Sequence, residues 1–183
     1  MGVLSDRQIR AFVEQYRMIE PFEPTLVRSG VISYGTAGYG YDLRLAPEFH
    51  RYIPTDGWDP KRPFEGSVET VSADRFWVQP GETVLTRSLE YFRIPRHVLG
   101  LVYGKSTYAR CGLVVNVTPL EPEWEGHITI ALVNGGRFPI CVYAREGIAQ
   151  VIFLRADEVC ETSYADRRGK YQAQTVVTPP RPG

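Results

Sequence analysis

Little in this sequence could hold a metal ion or build a disulfide framework. Three cysteines are present, Cys111, Cys141 and Cys160, an odd number with no CxxC pair. That inventory points to reduced thiols with packing roles. The three histidines, His50, His97 and His127, show neither HxE nor HxxxH spacing, so no zinc site is expected. No apolar run approaches the roughly 20 residues needed to span a bilayer, so no membrane association is expected. A basic excess is missing too: 21 Lys plus Arg cancel 21 Asp plus Glu. This argues against a general nucleic-acid binder while leaving room for one local basic pocket. The opening Met1-Gly2-Val3-Leu4-Ser5-Asp6-Arg7 has no signal-peptide plan, and Asp6 stands where a myristoylation start needs Ser or Thr. A cytoplasmic location is the expectation.

What is present is enough for one domain over 1–183 with a real core, with 43% apolar and 23% charged residues. The first 25 residues read as a helical segment. Ser5 can cap it, Gln8 completes a capping box, and Ile9, Phe12, Val13 and Tyr16 fall on one face, with Pro21 and Pro24 as its end. Beyond residue 30 the pattern changes to short β-rich runs separated by Gly and Pro: Thr83–Thr86, Val98–Tyr103, Leu113–Thr118, His127–Asn134, Ile140–Tyr143 and Ala149–Leu154. No helix-length segments alternate with them, which excludes a parallel α/β sheet and favours a mostly-β antiparallel barrel or jelly-roll-like sandwich. Tyr52–Glu69 reads as a long loop. Residues 166–183 are polar and end Pro-Pro-Arg-Pro-Gly, a mobile C-terminal arm.

Two stretches carry chemistry. Gly104-Lys105-Ser106-Thr107-Tyr108-Ala109-Arg110 fails as a Walker A loop on spacing. It nevertheless offers a point charge at Lys105, hydroxyls at Ser106 and Thr107, and a guanidinium fork at Arg110 suited to phosphate oxygens. A polar turn between strands fits the same residues equally well. Thr118-Pro119-Leu120-Glu121-Pro122-Glu123-Trp124-Glu125 places three carboxylates in a Pro-rich bend, which by itself reads as a solvated acidic loop.

Read in order, Gly104–Leu113 followed by Asn116–His127 resembles the central block of bacterial dCTP deaminases, members of the dCTP deaminase/dUTPase family. Ser5–Ile9, Val31–Gly35 with Tyr39–Arg44, Glu90–Pro95, Asp157–Cys160, Ser163-Tyr164 and Gly169–Gln172 agree, so the similarity spans nearly the whole chain. The resemblance implies a dUTPase-type fold and conversion of dCTP to dUTP and ammonia without zinc. It also implies a homotrimer with sites at subunit interfaces, dCTP and dUTP as ligands, dTTP as an inhibitor, and magnesium bound through the triphosphate. Onto this chain it carries a nucleotide-binding block of Lys105, Ser106, Thr107, Tyr108, Ala109 and Arg110. Strand residues Thr129, Ile130 and Ala131 follow, then a ligand-contacting Gln150. Tyr164, Lys170 and Gln174 belong to an arm that closes over the triphosphate.

The pattern breaks where it matters most. The family's strand carries a glutamate that activates the attacking water, and here that position is Ala131. A polar residue is usual where Val133 stands, and glycine where Ala173 and Val176 stand. The catalytic set carried over is therefore Ser106, Arg110, Ala131 as the position of the lost base, and Glu121. Glu121 lies five positions before Gly126, where dUTPases place an acidic residue. Three readings stay open: a dCTP deaminase impaired at Ala131, a dUTPase-like pyrophosphohydrolase using Glu121, and a nucleotide-binding protein without catalysis.

Overall fold

The alternation of apolar and polar residues along the later two-thirds of the chain becomes a set of antiparallel sheets in the computed structural model, which describes residues 2–53, 57–62 and 66–181. In chain order the elements are β1 (Gly2–Val3), α1 (Asp6–Tyr16), β2 (Ile19–Glu20), β3 (Leu26–Val27), β4 (Tyr34–Ala37), β5 (Gly40–Arg44), β6 (Glu48–Tyr52), β7 (Val68–Ser72) and β8 (Arg75–Val78). Then come β9 (Thr83–Arg93), β10 (Val98–Gly104), α2 (Ser106–Arg110), β11 (Leu113–Asn116), β12 (Glu125–Asn134), β13 (Ile140–Tyr143) and β14 (Gly147–Arg155). One six-stranded sheet runs β1-β14-β5-β4-β3 with β10 also on β14; a second runs β11-β12-β9-β6-β7 with β2 on β9. A two-stranded β13-β8 ribbon completes the set. The mostly-β antiparallel expectation holds.

The start of α1 is as read from sequence. Ser5 is the N-cap, its side chain accepts from the Gln8 N–H, and Gln8 returns the bond in a capping box. Its end differs. Arg17 adopts the left-handed conformation at φ 52° and donates its N–H to the Val13 carbonyl, so a left-handed cap, and not a proline, stops the helix. The strand entered as Thr83–Thr86 runs on through Arg93, because Ser88, Glu90 and Phe92 keep the inward alternation. The loop expected over Tyr52–Glu69 is the connection of a β6-β7 hairpin whose pairing ends at Tyr52↔Val68. Residues 54–56 and 63–65 of that loop lie outside the described residues.

Between the sheets sits a core that includes Tyr41, Leu43, Phe49, Phe92, Ile130 and Phe153, all fully buried. One charged group is built into it. The Glu90 carboxylate has no exposed side-chain surface. It accepts from the Arg44 Nε at 2.6 Å, the Arg44 backbone N–H at 2.9 Å and the Tyr41 hydroxyl at 3.4 Å. Burial pushes this carboxyl upward against the pull of Arg44. The arrangement ties β5 in the first sheet to β9 in the second.

Candidate functional site

Two groups of the sequence-singled residues come together, in two different places. The first group lies on the outer part of the first sheet. β5 carries Asp42, 5% exposed, opposite Gln150 on β14. The Gln150 Nε2 donates to Asp42 Oδ1 at 3.1 Å. Lys105, just before α2, donates its ammonium to Asp42 Oδ2 and, at 2.9 Å, to Ser33 Oγ. Gln150 thus has the polar partner that its apolar surroundings demand, and Lys105 is not a free cation. Asp42 was absent from the candidate set. Its only sequence signal is an acidic residue inside the otherwise apolar strand Tyr41-Asp42-Leu43, and its partner is 63 residues away.

From this cluster, α2 projects Ser106, Thr107, Ala109 and Arg110 to the surface. Arg110 leans back on its own helix, donating to the Ser106 carbonyl at 3.4 Å. Tyr108 points the other way. Its side chain is 3% exposed and sits in the core, with the hydroxyl accepting from the Tyr143 N–H at 3.3 Å. Only its backbone is left to meet a ligand. The same holds for Ile130, whose side chain has no exposure at all.

The second group surrounds a cavity of about 600 Å³ beside β12. Glu121, Thr129, Tyr164 and Gln174 line it, against an apolar wall that includes Leu85 and Leu120. Along β12 the side chains alternate as strand geometry requires. Ile128, Ile130 and Leu132 are buried, while His127, Thr129, Ala131 and Val133 are half-buried on the other face. Ala131 pairs with Leu85 on β9 and with Asn116 on β11. It therefore sits two residues, roughly 7 Å, from Thr129 on the cavity side, with a leucine and an amide as flanking neighbours. His127 on the same face is held neutral by burial, which lowers its pKa.

Two acidic side chains near this strand are already engaged. Glu121 forms an ion pair with Arg167. Glu48, across β9 from this face, pairs with Arg87 at 2.9 Å and His50 at 3.0 Å. Among the described residues, no group of three or more His, Cys, Asp or Glu side chains could cage a metal.

Residues 166–181, expected as a mobile arm, are docked on the cavity in this structure. Gln174 is 8% and Val177 2% exposed. Ala173 donates its N–H to the Glu125 carbonyl at 2.9 Å, and His127 donates to the Gln174 carbonyl at 2.8 Å. Gly126 permits this approach. A Cβ there would lie 2.9 Å from the Gln174 nitrogen, on a backbone with φ +146°. The Thr129 hydroxyl donates to Gln174 Oε1 and accepts from the Thr178 N–H, both at 3.4 Å. Tyr164 accepts at its hydroxyl from the Tyr171 N–H at 3.0 Å. Lys170, expected on the triphosphate, donates to the Arg181 carbonyl at 2.8 Å.

The mostly-β fold, with a polar cluster on one sheet and a C-terminal segment across a cavity beside the other, has counterparts among known proteins. The solved structure of 2'-deoxycytidine 5'-triphosphate deaminase from Agrobacterium tumefaciens shares the fold, with a TM-score of 0.63 at 16% identity. The match covers 83% of this chain and 47% of that one, so this chain spans about half its length. The family model described as dCTP deaminase-like matches residues 3–156. Proteins named dCTP deaminase from Dichelobacter nodosus and Methylococcus capsulatus are 52% and 54% identical, each match covering 99% of this chain and all of the relative. The chain belongs to the dCTP deaminase-like family.

Proposed function

We propose that this chain binds a pyrimidine deoxynucleoside triphosphate in the site of a dCTP deaminase, and that its own deamination of dCTP is slow because Ala131 stands where the base should be. The reaction adds water at the ring carbon bearing the exocyclic amine and releases ammonia, leaving dUTP. It needs a group to take a proton from the water. The observation that carries the reading is the face of β12. Thr129, which lines the cavity, shares it with Ala131 and Val133, and none of the three can accept that proton. Glu121 and Glu48 are held by arginines.

In this reading, Lys105 and Arg110 face the triphosphate and Ser106 positions water. Magnesium enters on the phosphate oxygens and neutralises part of their charge. Thr129, Gln174 and Tyr164 enclose the nucleoside. The α2 residues do not line the cavity of their own chain, which supports a site completed by a neighbouring copy, hence a homotrimer. A cytoplasmic location and inhibition by dTTP belong to the same proposal.

The test is ammonia release from dCTP by this chain and by Ala131→Glu. General-base assistance is worth about 10²–10⁴-fold, so the variant should gain at least about a hundredfold. Brisk release by the unaltered chain would overturn the assignment of Ala131. No gain in a variant that still binds dCTP would overturn the deaminase reading, and pyrophosphate release from dUTP would then be assayed with Glu121→Gln.

A further inference from the structure

The arm that covers the cavity is fastened at its base by one side chain lying outside the cavity. Arg96 occupies the turn between β9 and β10. Its Nη1 donates to Glu123 Oε2 at 2.6 Å and, at 3.5 Å, to Ser163 Oγ. Its Nη2 donates to the Glu161 carbonyl at 2.9 Å and to Asp166 Oδ2 at 2.7 Å. One planar guanidinium therefore grips the loop that forms a cavity wall and both sides of the first turn of the arm.

The contacts continue inward from this point. Asp166 accepts the Ser163 N–H at 2.9 Å, and Ser163 is 1% exposed. The next residue, Tyr164, donates its N–H to the Pro122 carbonyl at 3.0 Å and faces the cavity. Its hydroxyl holds Tyr171, whose carbonyl accepts the Trp124 Nε1 at 2.9 Å. On the other side of Arg96, the Ile94 N–H and carbonyl bond Trp124 and Glu123, both at 2.9 Å. The Ser163 N–H, and after it Arg96, hold the Asp166 carboxyl down to about 2, so it is charged wherever the protein is folded at ordinary pH.

We propose that Arg96 is a positioning residue that sets the arm closed over the cavity, so that nucleotide affinity depends on a side chain that does not line the cavity. The statement that the closed cavity takes a nucleotide rests on the function proposed above; the statement that Arg96 closes the arm does not. Without Arg96 the carboxylates of Glu123 and Asp166 face each other unscreened, and the arm loses the contact that brings Tyr164 over its pocket. A lysine supplies charge but not the fork.

The experiment uses the full chain and three readouts: the rate of limited proteolysis within 166–181, the affinity for dUTP with magnesium, and the thermal midpoint. Arg96→Ala should speed arm cleavage about tenfold and weaken dUTP about tenfold, the size of one charged hydrogen bond, with the midpoint unmoved. Arg96→Lys should fall between. Asp166→Ala should reproduce the effect, and the double variant should be no worse than either single one, the mark of residues acting through each other. If Arg96→Ala does not fold, Arg96→Lys and Asp166→Ala carry the same test. Arm cleavage as slow as in the unaltered chain, or additive effects in the double variant, would overturn the proposal. Failure of the unaltered chain to bind dUTP would overturn the nucleotide reading alone, and arm cleavage would still decide the role of Arg96.

Discussion

Around Asp42 every charge has a partner; at Ala131, on the outward face of β12, the paired neighbours are Asn116 and Leu85 and no charge is present. Both regions stand on the same kind of support, a half-covered antiparallel strand with a buried apolar face behind it. One has kept a complete set of polar contacts and the other has been reduced to small apolar groups. The difference separates two tasks. In the proposed reading, gripping a phosphorylated ligand needs a cation fixed in place, and Lys105 is fixed by donating to Asp42 and Ser33. Moving a proton needs a carboxylate in the right place, and the cavity face of β12 has none.

The comparison can be broken most severely at Asp42. Asp42→Ala leaves the Lys105 ammonium, its side chain 13% exposed, without its counter-charge, and removes the partner of Gln150. Breaking such a pair costs about 3–5 kcal/mol, so urea unfolding should shift by that amount. An unchanged midpoint would show that the cluster is not structural. Arg110→Lys comes next. It leaves the fold alone, since Arg110 is exposed on α2, but should weaken dUTP or dCTP binding by about 1.5–3 kcal/mol, the worth of a charged hydrogen bond. Calorimetric affinities equal to the unaltered chain would remove Arg110 from the site. The smallest effect concerns the arm. Ala173 is held at φ 55°, a region that costs a residue with a Cβ about 1–2 kcal/mol. Ala173→Gly should slow proteolysis of the docked arm by about fivefold, equivalent to about 1 kcal/mol. Faster cleavage would mean that the entropy of the added glycine outweighs the relief.

Much of the frame was legible because it follows local rules. The Ser5–Gln8 capping box and the β-rich run His127–Asn134 are written in adjacent residues, and both appear as read. The buried side of Ile130 follows from strand alternation, whereas nothing local to the five-residue α2 marks Tyr108 as a core side chain. The Asp42–Lys105 pair was invisible because no local pattern links residues 63 apart. The docked arm was missed for another reason. Its composition is too polar to bury much surface, but it is held through backbone groups at Glu125 and His127 and by the Trp124 indole, with Val177 as an apolar anchor. Ala173 is a mixed case. Its departure from the family's glycine was plain in the sequence, and the positive φ supplies the physical reason. Val176 is 57% exposed with no such constraint, and nothing in the structure explains that substitution.

The pair formed by Glu90 and Arg44 has a consequence for how such a site can change over generations. It rivets β5 to β9 and so sets the separation of the two sheets from inside the molecule. The spacing that a ligand encounters is thereby independent of the residues that touch the ligand. Positions 131 and 133 can accept, lose or exchange reactive groups while the frame behind them keeps its dimensions. A substitution on the outward face of β12 therefore changes which groups that face presents without moving the two sheets that carry it.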